Sequence, residues 1–217
     1  MQRHFRDCEG VIVILKQFTL GPLENNNFLL IDEASKEAVL IDCTQDSPEI
    51  EDVLKEYGAQ LKYILLTHGH FDHIMGVNDF RSKHDCKVYV HEDDKILMDT
   101  IKEFSRDFGL PHSEIQKVDG YLKENDVIKF GGHEIKVIHT PGHTKGGVCY
   151  LVEDELFSGD TLFYESIGRT DLPGGSFDQL KSNIKEKLFT LDDNIKVYPG
   201  HGWTSTIGHE KINNKFL

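Results

Sequence analysis

The chain has 217 residues, 38% hydrophobic and 28% charged, and its 37 acidic and 24 basic side chains give a formal charge of −13. That length suffices for a sizeable core, and the acidic balance argues against broad binding to nucleic acid or an anionic membrane. No apolar run approaches the roughly 18 residues that a membrane-spanning helix needs.

In chain order, MQRHFRDCEGVIVIL has a charged head, but VIVIL is too short for a secretory signal and no small-residue cleavage site follows. Cys8, Cys43, Cys86 and Cys149 form no CxxC pair, so reduced, buried thiols in a cytoplasmic protein are expected. A strand is expected around Val11–Lys16, then two paired strands, Asn27–Ile31 and Ala38–Ile41, joined by a polar turn. In SPEIEDVLKEYG, Ser47 can cap a helix and Pro48 suits its first turn. Ile50, Val53, Leu54 and Tyr57 share one face, and Gly58 suits the exit. Tyr63–Leu66 is a short apolar strand, and Ile74, Val77 and Phe80 mark one side of a helix beginning just past His73. Lys87–Val90 is a strand and Asp93–Phe108 a helix. Strands follow at Val127–Phe130, Glu134–His139, Val148–Val152 and Glu155–Ser158, then a helix near Phe177–Phe189 and a strand Lys196–Tyr198. Without a long linker or repeat, residues 1–217 form one domain in this reading. Strands followed by helices, twice over, predict two packed sheets with helices outside, an α/β fold.

Chemistry concentrates in LLTHGHFDHIMG, where an apolar run ends in His68, His70, Asp72 and His73. Three further junctions have the same form. IHTPGHT delivers His143 after a strand, LFSGD delivers Asp160, and VYPGHG delivers His201, each directly after a glycine that lets the backbone turn sharply. Crowded imidazoles and carboxylates repel and compete for protons, so a divalent cation is the natural reward for their closeness. Histidine nitrogen and carboxylate oxygen suit zinc, iron or manganese. Seven donors exceed one tetrahedral ion and suit two ions sharing a carboxylate. His84, His91, His133 and His139 are assigned no role.

These motifs resemble those of the metallo-β-lactamase-fold superfamily, whose THxHxDH signature stands here as Thr67–His73, with PGHT, SGDTLF and PGHG similar to its later metal motifs. The resemblance implies an αββα four-layer sandwich, with two mixed sheets inside and the metal site at one edge. It implies His68, His70 and His143 on one ion, Asp72, His73 and His201 on the second, and Asp160 bridging. Zinc is the first expectation for both ions, with iron or manganese as substitutes. Within the superfamily, GRTDLPGGS (Gly168–Ser176) and the ending TIGHEKINNKFL resemble the short bacterial branch of the glyoxalase II-like hydroxyacylglutathione hydrolases. The C-terminal helical domain with which the longer enzymes bind glutathione is expected to be missing. Where those enzymes place a lysine and a tyrosine, this chain offers Arg169 with Asp171 nearby. Cys43 replaces an expected proline or glycine and is assigned to packing.

The expected reaction is hydrolysis of a small thioester such as a 2-hydroxyacyl glutathione by hydroxide activated between two metal ions. Asp72 would orient the attacking group, and Arg169 would clamp a substrate carboxylate or, alternatively, pair with Asp171. The runner-up is a persulfide dioxygenase holding one iron through His68, His143 and Asp160. A nuclease is disfavoured by the charge, and a β-lactamase by the absence of a cysteine ligand from the set. A metal-stabilised binding module is the non-enzymatic reading. Trp203 is expected to pack or to line the pocket mouth, and Lys95–Ile115, with Phe104, Phe108 and Leu110, to seat a helix or form a lid. Oligomeric state is left open.

Overall fold

Strand alternation decides how the layers form. A computed structural model describes residues 2–6, 12–99 and 118–217. The first half contains β1 (Gln2–Arg6), β2 (Ile12–Leu20), β3 (Asn25–Asp32), β4 (Glu37–Ile41), α1 (Pro48–Tyr57), β5 (Gln60–Leu65), α2 (Phe71–Ile74), α3 (Val77–Lys83), β6 (Lys87–His91) and α4 (Lys95–Asp99). The second contains β7 (Gly120–Leu122), β8 (Val127–Phe130), β9 (His133–His139), β10 (Val148–Val152), β11 (Glu155–Gly159), β12 (Leu162–Phe163), β13 (Ser166–Ile167), α5 (Phe177–Asn183), β14 (Lys196–Pro199), β15 (Ser205–Thr206) and α6 (Ile207–Asn213).

Strands β1 to β7 form one sheet in chain order, antiparallel up to β4 and parallel from β4 to β7. The second sheet runs β15-β14-β11-β10-β9-β8, with β11 and β14 parallel. Side chains two apart share a face. Val13, Leu15, Phe28, Leu30, Val39 and Ile41 therefore meet Val137, Val148, Tyr150, Phe157 and Tyr198 between the sheets. Their neighbours Ile14, Leu29, Ile31, Ala38 and Leu40 point the other way, onto Ile50 and Leu54 of α1, Ile74 of α2 and Phe80 of α3. The outer face of the second sheet packs Ile138, Cys149, Leu156 and Val197 against Leu180 of α5, Ile184, Leu188 and Ile207 of α6. Each large apolar side chain so buried contributes about 1.5–3 kcal/mol. The result is the expected αββα arrangement of two mixed sheets between helices.

Helix α1 is capped by Ser47, whose Oγ accepts from Ile50 N at 3.4 Å, and it leaves through Gly58 at φ 59°. The helix expected past His73 instead starts at Phe71 and breaks into α2 and α3 at Met75–Gly76. There Gly76 donates its N–H to Cys43 O, and a Cβ on it would lie 2.6 Å from the Gln45 carbonyl carbon. The expected Asp93–Phe108 helix is a 3-10 turn at Glu92–Asp94 followed by α4, and residues 100–108 lie outside the described residues. Helix α5 widens into a π turn over Ile184–Leu188. Cys43, Cys86 and Cys149 are buried free thiols; Cys8 lies outside the described residues. Among the described residues no helix is long and apolar enough to cross a membrane.

Candidate metal centre

The parallel pairs β4–β5 and β11–β14 place four strand ends on one edge of the sandwich. The loop after β5 carries His68 and His70 and runs into α2, which carries Asp72 and His73; β9 leads to His143, β11 to Asp160 and β14 to His201. All seven side chains predicted from sequence meet there. His70 Nδ1 lies 3.0 Å from His68 Nε2 and 2.9 Å from His143 Nε2. His201 Nε2 and His73 Nε2 lie 3.2 and 3.5 Å from Asp72 Oδ2. Asp160 spans the two sets, with Oδ1 3.5 Å from His73 Nε2 and Oδ2 3.5 Å from His143 Nε2. Within each of the sets His68–His70–His143, Asp72–His73–His201 and His68–His73–Asp160, one donor atom per residue lies within 4.8 Å of the others.

A divalent cation fits this arrangement. Asp160 Oδ1 is buried and accepts no hydrogen bond from the described residues, a state that costs free energy unless a cation or water meets it. Close approach is enforced by Gly200, where a Cβ would stand 2.4 Å from Asp160 Oδ1 and 2.7 Å from His73 Cε1.

The outer nitrogens are held by groups that accept N–H, which turns the opposite lone pairs inward. His143 Nδ1 donates to Arg169 O at 2.7 Å and His201 Nδ1 to Leu23 O at 3.0 Å. His73 Nδ1 donates to Asp42 Oδ2 at 2.8 Å, while Asn25 Nδ2 lies 2.7 Å from its Nε2. Asp42 also accepts from the Thr67 hydroxyl at 2.9 Å, leaving Thr67 Oγ1 to accept from His68 Nδ1 at 3.1 Å. One carboxylate thus orients a histidine in each set. Asp42 adopts φ 57°, a left-handed conformation that non-glycine residues take mainly where surrounding contacts compel it.

Electrostatics divide the cluster. Burial, reinforced by neighbouring imidazoles, drives His68 far below its ordinary pKa and holds His70 down at about 4. Burial opposes charge on His73 as well, but Asp72, Asp42 and Asp160 outweigh it and push His73 up to about 10. Asp72 is partly buried, which opposes its charge, yet His73 and His201 keep its carboxyl well below the usual range.

Beside the cluster lies a cavity of about 670 Å³ lined by His70, Asp72, His143, Asp160 and His201, with Leu23, Phe71, Leu97, Phe163, Ile167 and Leu172 as its apolar wall. Arg169 lines it too, but its guanidinium is closed on Asp171, with Nε–Oδ1 at 2.8 Å and Nη2–Oδ2 at 2.7 Å. Trp203 corrects the packing expectation: it is 75% exposed, its ring edge-on to Tyr164 and absent from the cavity wall. Of the expected lid, Leu97 lines the cavity, whereas residues 100–115 lie outside the described residues. His91 and His139 stack at 3.9 Å and 11°, beside Asp93; parallel rings aim their lone pairs side by side rather than at one point.

Sequence reasoning passed over Asp42, Asn25 and Asp94. Asp94 is buried and accepts from Gly69 N (2.8 Å), Thr144 Oγ1 (2.8 Å) and Gly146 N (2.6 Å), tying the first histidine loop to the His143 loop. The available signal was an ionisable residue at the end of an apolar strand, which Asp42 shows in AVLID.

Known proteins share this architecture. The chain is 35% identical to the hydroxyacylglutathione hydrolase GloC of Haemophilus influenzae, over 88% of this chain and 92% of that one. Among solved structures, BLEG-1, described as a B3 metallo-β-lactamase, superposes with TM-score 0.86 at 38% identity, covering 94% of this chain and 99% of its own. TTHA1623 in a di-iron-bound form gives TM-score 0.83 at 34% identity, with 93% and 100% covered. ETHE1 from Myxococcus xanthus gives 0.78 at 27%, with 93% and 83% covered. A family model for the metallo-β-lactamase superfamily matches residues 21–201, a span that contains all seven converging side chains. By fold, motif and match, the chain belongs to the metallo-β-lactamase superfamily.

Proposed function

We propose that the protein is a metal-dependent hydrolase of a small thioester, such as a 2-hydroxyacyl glutathione. The observation that carries this reading is Asp160, a partly buried carboxylate with one oxygen, Oδ1, fully buried, that faces both donor sets on the wall of an open cavity. The likeness to GloC supports the thioester, and the di-iron neighbour supports two ions. His68, His70 and His143 would hold one divalent ion and Asp72, His73 and His201 the other, with Asp160 shared; zinc is the first choice, then iron or manganese. Such a pair of ions polarises a carbonyl and lowers the pKa of water towards about 7, making it nucleophilic at neutral pH.

The chain's own residues do the rest. Asp72 stays ionised on the cavity wall and orients the attacking water. Asp42, Leu23 O and Arg169 O fix the rings of His73, His201 and His143 before substrate arrives. The Phe71, Phe163 and Ile167 side chains exclude bulk water and give the acyl group an apolar seat. Arg169 binds a substrate carboxylate by exchanging it for Asp171.

A second reading, one iron on His68, His143 and Asp160 oxidising a persulfide, draws on the 3.5 Å His143–Asp160 approach and on the likeness to ETHE1. Metal analysis of freshly purified protein, paired with thioester, glutathione persulfide and β-lactam assays, separates these. About two ions per chain with thioester hydrolysis is expected. One iron with oxygen uptake on the persulfide would establish the second reading instead.

A further inference from the structure

A second cavity of about 320 Å³ adjoins the first. His70, Leu97 and Leu172 line both, so the two are compartments of one cleft with the leucines at its waist. The near compartment ends at the metal cluster, and the far one is edged by charge of both signs, Lys145 and Asp93. Lys145 follows Thr144 on the His143 loop, and its carbonyl is fixed by His139 Nε2 at 3.0 Å. Its side chain is exposed and passes over Gly174, where a Cβ would meet Lys145 Cγ at 3.5 Å. Among the described residues no carboxylate forms an ion pair with its ammonium group, in contrast to Arg169, whose fork Asp171 fills. Asp93 is more than half exposed, with His91 Nδ1 3.8 Å away as its nearest cation-forming group. Asp94, the other acid here, is turned inward and saturated by Gly69 N, Thr144 Oγ1 and Gly146 N.

A compartment bearing one available cation and one available anion favours a zwitterion over either lone ion. We propose that the far compartment holds the α-amino-acid end of the substrate's thiol carrier. Lys145 pairs its carboxylate, Asp93 its ammonium group, and the carrier's methylenes cross the Leu97–Leu172 waist. The thioester then lies at Asp160. This rests on the thioesterase reading and adds to it a separate subsite for one end of the carrier and the two residues that select it.

S-hexylglutathione carries an α-amino-acid end and no bond to hydrolyse, so titration calorimetry with the metal-loaded protein tests the site without catalysis. Wild-type protein binds it, and Lys145→Met and Asp93→Asn each weaken binding about fivefold, as expected of partly exposed ion pairs. Both variants also raise KM for lactoylglutathione more than KM for the lactoyl thioester of N-acetylcysteamine, a neutral carrier. The proposal is overturned if wild-type protein fails to bind the thioether, if either variant binds it as tightly, or if both thioesters lose equally. Binding as expected without hydrolysis of any thioester leaves the compartment standing and removes the thioesterase reading.

Discussion

Replacing Asp42 with asparagine keeps the size and the tolerance for a left-handed backbone while changing one oxygen into a donor. In the native chain Oδ1 accepts from Thr67 N at 2.8 Å, and Oδ2 accepts from Thr67 Oγ1 at 2.9 Å and His73 Nδ1 at 2.8 Å. With the amide oxygen kept on Thr67 N, the new NH2 group faces His73 Nδ1. The ring then adopts the other tautomer, and its Nε2–H points at Asp72 and Asp160. With the amide flipped, two donors meet at Thr67 N. Either arrangement loses one buried hydrogen bond, about 1–3 kcal/mol of stability. The first also blocks a ligand atom, and loss of such an orienting partner typically lowers metal affinity about 10–100-fold. Chelator competition followed by metal analysis, with thermal denaturation of the metal-free protein alongside, separates the two effects. A variant that retains wild-type metal affinity while melting lower would refute the role given to Asp42 and leave it a purely structural residue.

Gly200→Ala forces a methyl group to within 2.4 Å of Asp160 Oδ1; metal affinity and activity are expected to fall about 10–100-fold with circular dichroism unchanged, and wild-type metal affinity would contradict the close-approach argument. Glu155 is buried with Oε2 unpartnered, and burial raises its pKa despite the Tyr198 hydroxyl. A folded-state pKa above the unfolded value favours the protonated folded state, so the stability Glu155 contributes in acid is lost as pH rises through that pKa. Glu155→Gln therefore stabilises at pH 7–8 by about 1 kcal/mol, roughly 2–4 °C in Tm for a chain of this size, with no gain near pH 4; equal shifts at both pH values would contradict it. Arg169→Met is expected to raise KM for a carboxylate-bearing thioester more than it lowers kcat, while the His143 ring stays held by the Arg169 backbone; a fall in kcat alone counts against the clamp.

The layered fold was legible because its strands carry apolar residues on both faces, as in β2 to β4, where odd and even positions go to different cores. The seven donors were legible because histidine and aspartate crowd at glycine bends, an arrangement that repels itself unless a cation sits within it. Asp42 and Asp94 were not, since each acts through partners 25–52 positions away that only sheet pairing brings close. Strand β1, QRHFR, and helix α6, IGHEKIN, were missed for want of an apolar stripe; α6 buries Ile207 and Glu210 while Ile212 is 84% exposed. Trp203 misled in the opposite sense, because hydrophobicity alone does not supply an apolar surface to bury against.

The central claim is that Asp160 joins two metal sets into one reactive centre. Metal stoichiometry of the wild type and of Asp160→Ala, each purified in parallel and measured with folding verified by circular dichroism, tests it most directly. About two ions per wild-type chain, with both weakened together in the variant, is the predicted result; a metal-free wild type, or a folded variant that keeps both ions at wild-type affinity, would contradict it.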